Sequence, residues 1–545
     1  MRKIAVILGA LVIGSLPACM DLKEESIAGV TRAAYGTPDT FEALVSGSYV
    51  ALRDFYAQER GFTLTEFGTD IFTKGSDGSH KFFNDYTSQL NSGATYAREL
   101  WDLMYRGINT ANAAIEQGGA VAMDPTLRDT RVGEARFVRA LYYFILVQTY
   151  GPVPLNLSET KAVTTTQTRA PVDSVYEAII QDLTFAEAKL PAVQKDYGRV
   201  TRGAAQHLLA KVYLTRIRGA DSTANEAAKT AAGDFANAAT WALKVINSGQ
   251  YALLPRFKDV FAFDNERNQE VIWSVQFTKD PLLNGNGNRG HLYFLMEYDA
   301  QLGMQRDIQN GRPFKRFRPT SFFLGLYDRT KDARYDAQFT RVWFANNPNT
   351  IPKDANGVPK FRVGDTAIVV LASNADTVNY RGKPYMVIPP SKYTNKLFPS
   401  LNKHHDPFRA SVNQEEGSRD FFVARLAETY LIAAEALLRD GRPAEGLPYI
   451  NAVRRRAAVP GQEAAMTYTL PTQLTLASVL DERARELTGE MVRWFDLVRT
   501  FTLLYRTKLY NSDAKANIQA YHMLRPIPVT QIERTSGVFP QNPGY

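Results

Sequence analysis

Several short segments of this chain match motifs that carry phosphate-binding or catalytic chemistry in other proteins. Residues 285–290 read GNGNRG and fit GxGxxG, but three glycines and two asparagines in six residues predict a turn-rich loop, with no clear helix following it. Residues 158–161 and 512–515 fit SxxK without a Lys-Thr-Gly partner. The chain has no GxSxG elbow, HExxH motif or Walker loop. These patterns favour neither nucleotide binding nor nucleophilic catalysis, and we predict no cofactor.

Histidine and carboxylate clusters offer a second kind of chemistry. His404, His405 and Asp406 could contact a metal, but adjacent side chains point apart in an extended chain, so we predict a polar loop and no metal site. Glu482, Glu486 and Glu490 share a helix face with arginines nearby, which predicts a solvated or structural salt-bridge face. Carboxylates are numerous enough that a glycosidase pair is not excluded, but no feature singles out two of them.

Aromatic residues are dense between residues 270 and 413, where helical periodicity fades. An exposed ring in a loop offers a flat apolar face to a sugar, and each such ring can contribute about 1 kcal/mol beyond the area that it buries. Our candidate ligand-binding residues are Tyr293, Phe294, Tyr298, Phe314, Phe82 and Tyr86. For any single ring, local packing is the competing interpretation. Trp101, Trp241 and Trp494 lie on helices and are predicted to be core residues.

The single cysteine, Cys19, ends a segment typical of an exported lipoprotein. Basic residues 2–3 and a short apolar run precede Leu16-Pro17-Ala18-Cys19, which resembles the bacterial lipobox. We therefore predict a signal peptide at residues 1–18 and a lipid on Cys19. An ordinary signal peptide with a chance cysteine is the alternative. With 45% hydrophobic and 22% charged residues the chain is globular, and its net charge of +8 without a dense basic run argues against nucleic-acid binding.

The elements that must position these residues are mostly helices. Helical periodicity predicts helices at 41–55, 96–117, 132–150, 172–190, 201–218, 235–248, 422–439, 444–457 and 476–504, and one strand at 271–277. Helix pairs with small and aromatic packing positions are typical of tetratricopeptide-like repeats. We predict a mainly α fold: a tetratricopeptide-like helical repeat scaffold with an irregular mixed α/β lobe that carries long loops.

Several segments, taken in order, resemble the SusD/RagB family of outer-membrane nutrient-binding lipoproteins. The similar segments are residues 133–144, 150–154, 210–214, 270–274, 425–436, 451–457, 490–499, 526–528 and 541–545. Their order and spacing, together with the lipobox, cover nearly the whole chain after residue 18. The resemblance implies a SusD-like N-terminal region of helical repeats at 19–260 and a SusD/RagB-like C-terminal region at 261–545, with a loop-rich lobe and a late helical repeat.

The resemblance also implies a function without catalysis. The protein would be a lipid-anchored lipoprotein of the outer membrane, facing outside. It would capture oligosaccharide and pass it to a TonB-dependent, SusC-like transporter, with the helical face as the docking side. The alternatives are a lipid-anchored glycoside hydrolase and a repeat lipoprotein that binds peptides or serves as a scaffold. Nothing in the sequence decides between glycan and peptide ligands.

Overall fold

The computed structural model describes residues 36–545, so the predicted signal peptide and Cys19 lie outside the described range. Twelve helices in this range have eight or more residues: α1 Pro38–Ser48, α2 Glu59–Glu66, α3 Thr95–Gly118, α4 Pro125–Tyr150, α5 Val172–Lys189, α6 Arg202–Thr215, α7 Ser222–Ala231, α8 Asp234–Ile246, α9 Leu426–Arg439, α10 Pro443–Arg456, α11 Leu476–Leu487 and α12 Leu503–Tyr510. Shorter α-helical segments are Val50–Arg53, Phe82–Asp85, Phe257–Val260, Pro281–Asn284, Gly290–Tyr293, Ser321–Gly325, Arg334–Gln338, Glu463–Met466, Arg493–Arg499 and Val529–Arg534.

The long helices form one continuous stack. Helix α1 packs on α3, and α3, α4, α5 and α6 pack each on the next; α8 then bridges α6 and α9, and α9 packs on α10. The contact between α6, α8 and α9 is rich in alanine, including Ala210, Ala238 and Ala433, and such small residues let helix backbones approach closely. Thr201 starts α6 by accepting a hydrogen bond from the N–H of Ala204 at 3.4 Å. The prediction of a tetratricopeptide-like scaffold is confirmed.

Short strands build the irregular lobe beside this stack. The strands are β1 Phe72–Lys74, β2 Val271–Val275, β3 Phe317–Pro319, β4 Phe339–Thr340, β5 Val342–Phe344, β6 Thr366–Val370, β7 Met386–Ile388, β8 Ser400–Leu401 and β9 Phe421–Arg425. They pair as β1–β3, β2–β9, β4–β8 and β5–β6–β7. The three-stranded sheet covers a small core of its own, which contains Tyr298, Trp343 and Ile368. The prediction of an α-rich fold with a mixed lobe is thus confirmed as well.

Three of the predicted helices are wrong in part, and the one predicted at 41–55 is divided at Tyr49 into α1 and the short helix Val50–Arg53. The helix predicted at 422–439 begins only at Leu426, because the preceding strand β9 pairs with β2. The helix predicted at 476–504 ends at Leu487, and the chain then turns through positive φ at Gly489 and Met491. The N–H of Met491 donates to Glu66 at 2.9 Å, so a buried contact with α2 replaces the next helical turn.

The main hydrophobic core draws side chains from both sides of residue 260. Phe62, Trp101 and Tyr142 come from the N-terminal side, and Trp273 and Trp494 come from the C-terminal side. The two predicted regions therefore share one interior, while their boundary stays a prediction. Within residues 36–545 we find no helix with the length and apolar character needed to cross a bilayer.

Candidate functional site

An extension of strand β3 carries the residues of the candidate site. The N–H groups of Phe314 and Arg316 donate to the carbonyl oxygens of Leu292 and Tyr293, each at 2.9 Å. On the other edge, the N–H of Gly75 donates to the carbonyl of Arg316 at 2.7 Å. A Cβ on Gly75 would lie 2.0 Å from the carbonyl oxygen of Lys315, so this close approach requires glycine. Backbone hydrogen bonds therefore hold the extension between the 75–78 loop on one side and Leu292 and Tyr293 on the other.

Three aromatic side chains, His80, Phe82 and Tyr96, contact one another near this extension, and Arg316 links them to a fourth ring, Phe314. We call these four side chains the aromatic patch. The rings of His80 and Tyr96 stack with centroids 3.6 Å apart, and Phe82 lies 5.8 Å from His80. Phe314 contacts Tyr293 beneath it, with centroids 6.2 Å apart. All four members of the patch are only partly buried. They form a partly exposed apolar surface on a packed support.

Charged side chains border the aromatic patch. The Arg316 guanidinium lies 5.3 Å from the centre of the Phe314 ring and pairs with Glu59 at 3.2 Å. Arg312 approaches the same ring at 5.0 Å and pairs with Glu415 at 2.8 Å. These groups supply donors and acceptors at the margin of the rings, an arrangement suited to a ligand with apolar faces and hydroxyl edges.

The ring groups of the patch are neutral at pH 7. Burial, and then the nearby Arg316 cation, lower the pKa of His80, so its imidazole is uncharged. Burial raises the pKa of the Tyr96 hydroxyl, and the carboxylates of Glu59 and Glu99 raise it further. Burial also raises the pKa of Glu59, against the opposing effect of Arg316. The patch therefore has uncharged ring faces beside a charged margin.

Of the six predicted ligand-binding residues, two are partly exposed and four are buried. Phe82 and Phe314 are in the aromatic patch. Tyr293 and Phe294, each 2% exposed, pack on Phe62 below it. Tyr298 is fully buried and lies against Trp343 in the small core, and Tyr86 is buried with its hydroxyl donating to Gly68 at 2.9 Å. The expected exposure is therefore wrong for these four rings, and the binding role of the set stays a prediction.

Sequence reasoning missed several members of the site. His80, Tyr96, Glu59 and Arg316 come from separate segments, and only the β1–β3 pairing brings the loop after β1 next to the extension of β3. The glycines at 75 and 78 were the available signal, because glycine often marks a close approach of two backbones.

The other chemistry-bearing motifs have structural roles. Residues 285–290 form a turn in which Asn288 exchanges backbone hydrogen bonds with Gly417, and the helix that follows, Gly290–Tyr293, has only four residues, unlike the long helix of the βαβ unit that binds a dinucleotide. The His404 side chain is half-buried, desolvation by the surrounding protein lowers its pKa to about 4, and the ring donates to the carbonyl of Gly489 at 2.8 Å. Among residues 36–545 no cluster of three or more His, Cys, Asp or Glu side chains is arranged to hold a metal ion.

The glutamates of the predicted salt-bridge face form a buried network. Arg425 pairs with Glu490 at 2.7 Å, with Glu486 at 2.8 Å and with Glu270 at 3.0 Å. Glu482 pairs with Arg334 at 2.7 Å, and both side chains are fully buried. Of the two alternatives in the prediction, the structural salt bridge is therefore right and the solvated face is wrong.

The stacked helix pairs and the mixed lobe define a class of mainly α-helical proteins, and comparison with known families identifies it. Residues 269–545, about half of the chain, match the SusD family, and residues 24–214 match a family described as "Starch-binding associating with outer membrane". The chain belongs to the SusD family.

Relatives in sequence and structure agree with this assignment. The chain is 26% identical to SusD-like protein P2 of Formosa agariphila, over 97% of each chain. It is also 26% identical to the starch-binding protein SusD of Bacteroides thetaiotaomicron, over 80% of this chain and 76% of that one. A crystal structure of a SusD homolog from Bacteroides thetaiotaomicron superposes with a TM-score of 0.72, at 21% identity, over 95% of this chain and 99% of the other.

Proposed function

We propose that this protein is a cell-surface nutrient-binding lipoprotein. It captures oligosaccharide and passes it to a TonB-dependent, SusC-like transporter in the outer membrane. Membership of the SusD family supports this function, as do the starch-binding relative and the family description "associating with outer membrane". The single observation that carries the proposal is the aromatic patch, since it provides partly exposed rings beside paired charges on a rigid support.

The patch would bind a sugar chain through its rings. The faces of Phe82 and Phe314 pack against the apolar faces of sugar rings, while Arg316 and Glu59 exchange hydrogen bonds with hydroxyl groups. With about 1 kcal/mol from each ring, the natural expectation is an affinity in the micromolar range or weaker. Such an affinity suits a protein that must release its cargo to a transporter.

The proposed protein does not cleave its ligand. Glycoside hydrolysis needs two accessible carboxyl groups on either side of the scissile bond. Glu482, Glu486 and Glu490 are locked among arginines in the interior, and Glu59 and Glu415 at the patch pair with Arg316 and Arg312. Incubation with a polysaccharide panel should generate no new reducing ends, and new ends would favour the hydrolase alternative.

The glycan ligand itself can be tested directly. The purified protein is applied to an array of oligosaccharides and peptides, and the strongest binder is titrated by calorimetry. We expect saturable binding of oligosaccharides and none of peptides. Selective binding of peptides would show that the cargo is a peptide and not a glycan. Co-purification of a β-barrel partner without binding of any array member would favour a pure scaffold.

A further inference from the structure

Helix α3 also lines a cleft that is separate from the aromatic patch. Trp101, Tyr105 and Asn109 line it from the helix, residues 154–167 close it on one side, and the segment around Gln531 closes it on the other. Its volume is about 810 Å³, which lies in the range of clefts that hold drug-sized ligands. None of the residues of the aromatic patch lines this cleft.

The cleft and the aromatic patch lie on opposite faces of α3. Tyr96 belongs to the patch and Tyr105 to the cleft, and the two residues are nine positions apart in the sequence. At 3.6 residues per turn, nine positions correspond to about two and a half turns, which places the two side chains on opposite sides of the helix. A ligand in one site therefore does not occupy the other.

Hydrogen bonds fix the aromatic side chains of the cleft. The indole N–H of Trp101 donates to Gln531 at 3.2 Å, and the hydroxyl of Tyr105 donates to the carbonyl of Pro154 at 2.8 Å. Trp101 is only 3% exposed and serves as the base of the cleft, whereas Tyr105 is partly exposed. The ring of Tyr105 is therefore preorganised as a platform, and no rotamer freedom has to be lost on binding.

Polar groups without partners surround this platform. The side chains of Asp102, Arg106 and Gln167 line the cleft and make no hydrogen bond or ion pair with residues 36–545. Asn109 accepts from the N–H of Thr160 at 2.7 Å, which leaves its NH₂ group free to donate. Arg106 is exposed and Asp102 and Gln167 are half-buried, so their donors and acceptors are available to a polar ligand in the cleft.

We propose that this cleft is a second binding site for a short oligosaccharide. The inference rests on the proposed function, since it assumes a glycan cargo. The fixed Tyr105 ring would receive a sugar face, and Asp102, Arg106 and Gln167 would bind hydroxyl groups around it. The cleft is also lined by apolar side chains, including Ala162 and Val163. It therefore offers apolar surface to the faces of sugar rings, and amides, threonines and charged groups to their hydroxyls.

Calorimetry with separate variants tests the second site. The probes are maltohexaose, laminarihexaose and an oligogalacturonide, each titrated at millimolar concentration into the full mature protein. Arg106→Ala combined with Gln167→Ala removes two unpaired polar groups of the cleft. Thr164→Trp fills the cleft, and Thr184→Trp, on the exposed face of α5, is its control. Phe82→Ala combined with Phe314→Ala removes the aromatic patch.

We expect at least one probe to bind the patch variant, and this residual binding to be lost when Thr164→Trp is added. The Arg106/Gln167 variant should weaken the same component about tenfold, which corresponds to about 1.4 kcal/mol. If all binding disappears with the patch, or if no probe binds the wild-type protein, the second site is overturned. If the patch variant binds as wild type while the cleft variants do not, the cleft stands and the proposed role of the patch fails.

Discussion

Glu66 shows how a single buried carboxyl group can affect stability. Its side chain is fully buried, one oxygen accepts the N–H of Met491 at 2.9 Å, and the other has no partner among the described residues. Burial raises the pKa of Glu66 to about 8, so the native state holds a proton at neutral pH that the unfolded chain releases. Between about pH 4.5 and pH 8 the native state thus binds more protons than the unfolded state, and its stability falls as pH rises.

We therefore expect Glu66→Gln to remove this loss of stability. Relative to wild type, its free energy of unfolding should increase by about 4 kcal/mol between pH 5 and pH 9, since a pKa raised from 4.5 to about 8 is worth about 1.4 kcal/mol for each pH unit crossed. Urea denaturation at the two pH values measures the change, and Glu533→Gln, at an exposed carboxyl group, should show none of it. Parallel pH profiles for Glu66→Gln and wild type would contradict a protonated Glu66.

Individual rings were the least predictable part of the candidate site. Tyr298 and Phe314 lie in the same aromatic-rich segment, yet Tyr298 is fully buried against Trp343 and Phe314 is partly exposed. Composition predicts that such a segment contains many rings, but burial depends on which distant strands pack over each ring. The β5–β6–β7 sheet covers Tyr298, and no local pattern around residue 298 contains that information.

At the scale of elements, buried ion pairs connect β9 to the edge of β2, to α11 and to the turn after α11. Arg425 ends β9, and its partners Glu270, Glu486 and Glu490 come from the edge of β2, from α11 and from the turn after α11. The carboxylates raise the pKa of Arg425 against the opposing effect of burial, so the guanidinium stays charged. Removing one member of such a network leaves its partners charged and unsatisfied.

Arg425→Ala should therefore destabilise the protein by about 3–5 kcal/mol. The matched control is Arg256→Ala, whose side chain is 65% exposed and pairs with Asp259 at 2.7 Å. The control should change the free energy of unfolding by less than about 1 kcal/mol. Equilibrium unfolding in urea compares the two, and equal effects would show that the network adds nothing beyond a surface ion pair.

Elements with a strong local pattern were predicted well, and the errors occur where tertiary contacts override that pattern. The prediction of 96–117 is within one residue of α3 at each end. The apolar stripe at 476–504 does continue past α11, because Met491 and Trp494 are buried. It is not one helix, however, because the chain turns at Gly489 and Met491, where the N–H of Met491 bonds to Glu66 and Glu490 pairs with Arg425 and Lys403.

At the scale of the whole molecule, one interior supports two separate surfaces. The main core joins residues from both family matches, so the stack and the lobe are expected to move as a unit. The aromatic patch and the cleft lined by Tyr105 then keep fixed positions on opposite faces of α3. In the proposed function this rigid body is held at the membrane by the lipid on Cys19, which leaves it free to approach and leave a transporter.

Replacing the proposed anchor should separate membrane attachment from ligand binding. We expect Cys19→Ala to leave glycan affinity unchanged and to release the protein from the membrane fraction, because the acyl chains supply about 0.8 kcal/mol per buried methylene. Fractionation of cells without the barrel partner measures this, with Ser26→Ala as control. Retention of Cys19→Ala in that membrane fraction would contradict the anchor.

The most direct test of the central claim is the affinity of the aromatic patch for its glycan. Phe82→Ala combined with Phe314→Ala should weaken binding of the best array glycan at least tenfold, from about 1 kcal/mol for each ring. Phe344→Ala, at a ring that is 57% exposed and distant from the patch in the sequence, is the control. Calorimetric titration at equal thermal stability should show weak binding for the patch variant and wild-type binding for the control. Wild-type affinity in the patch variant would contradict the account.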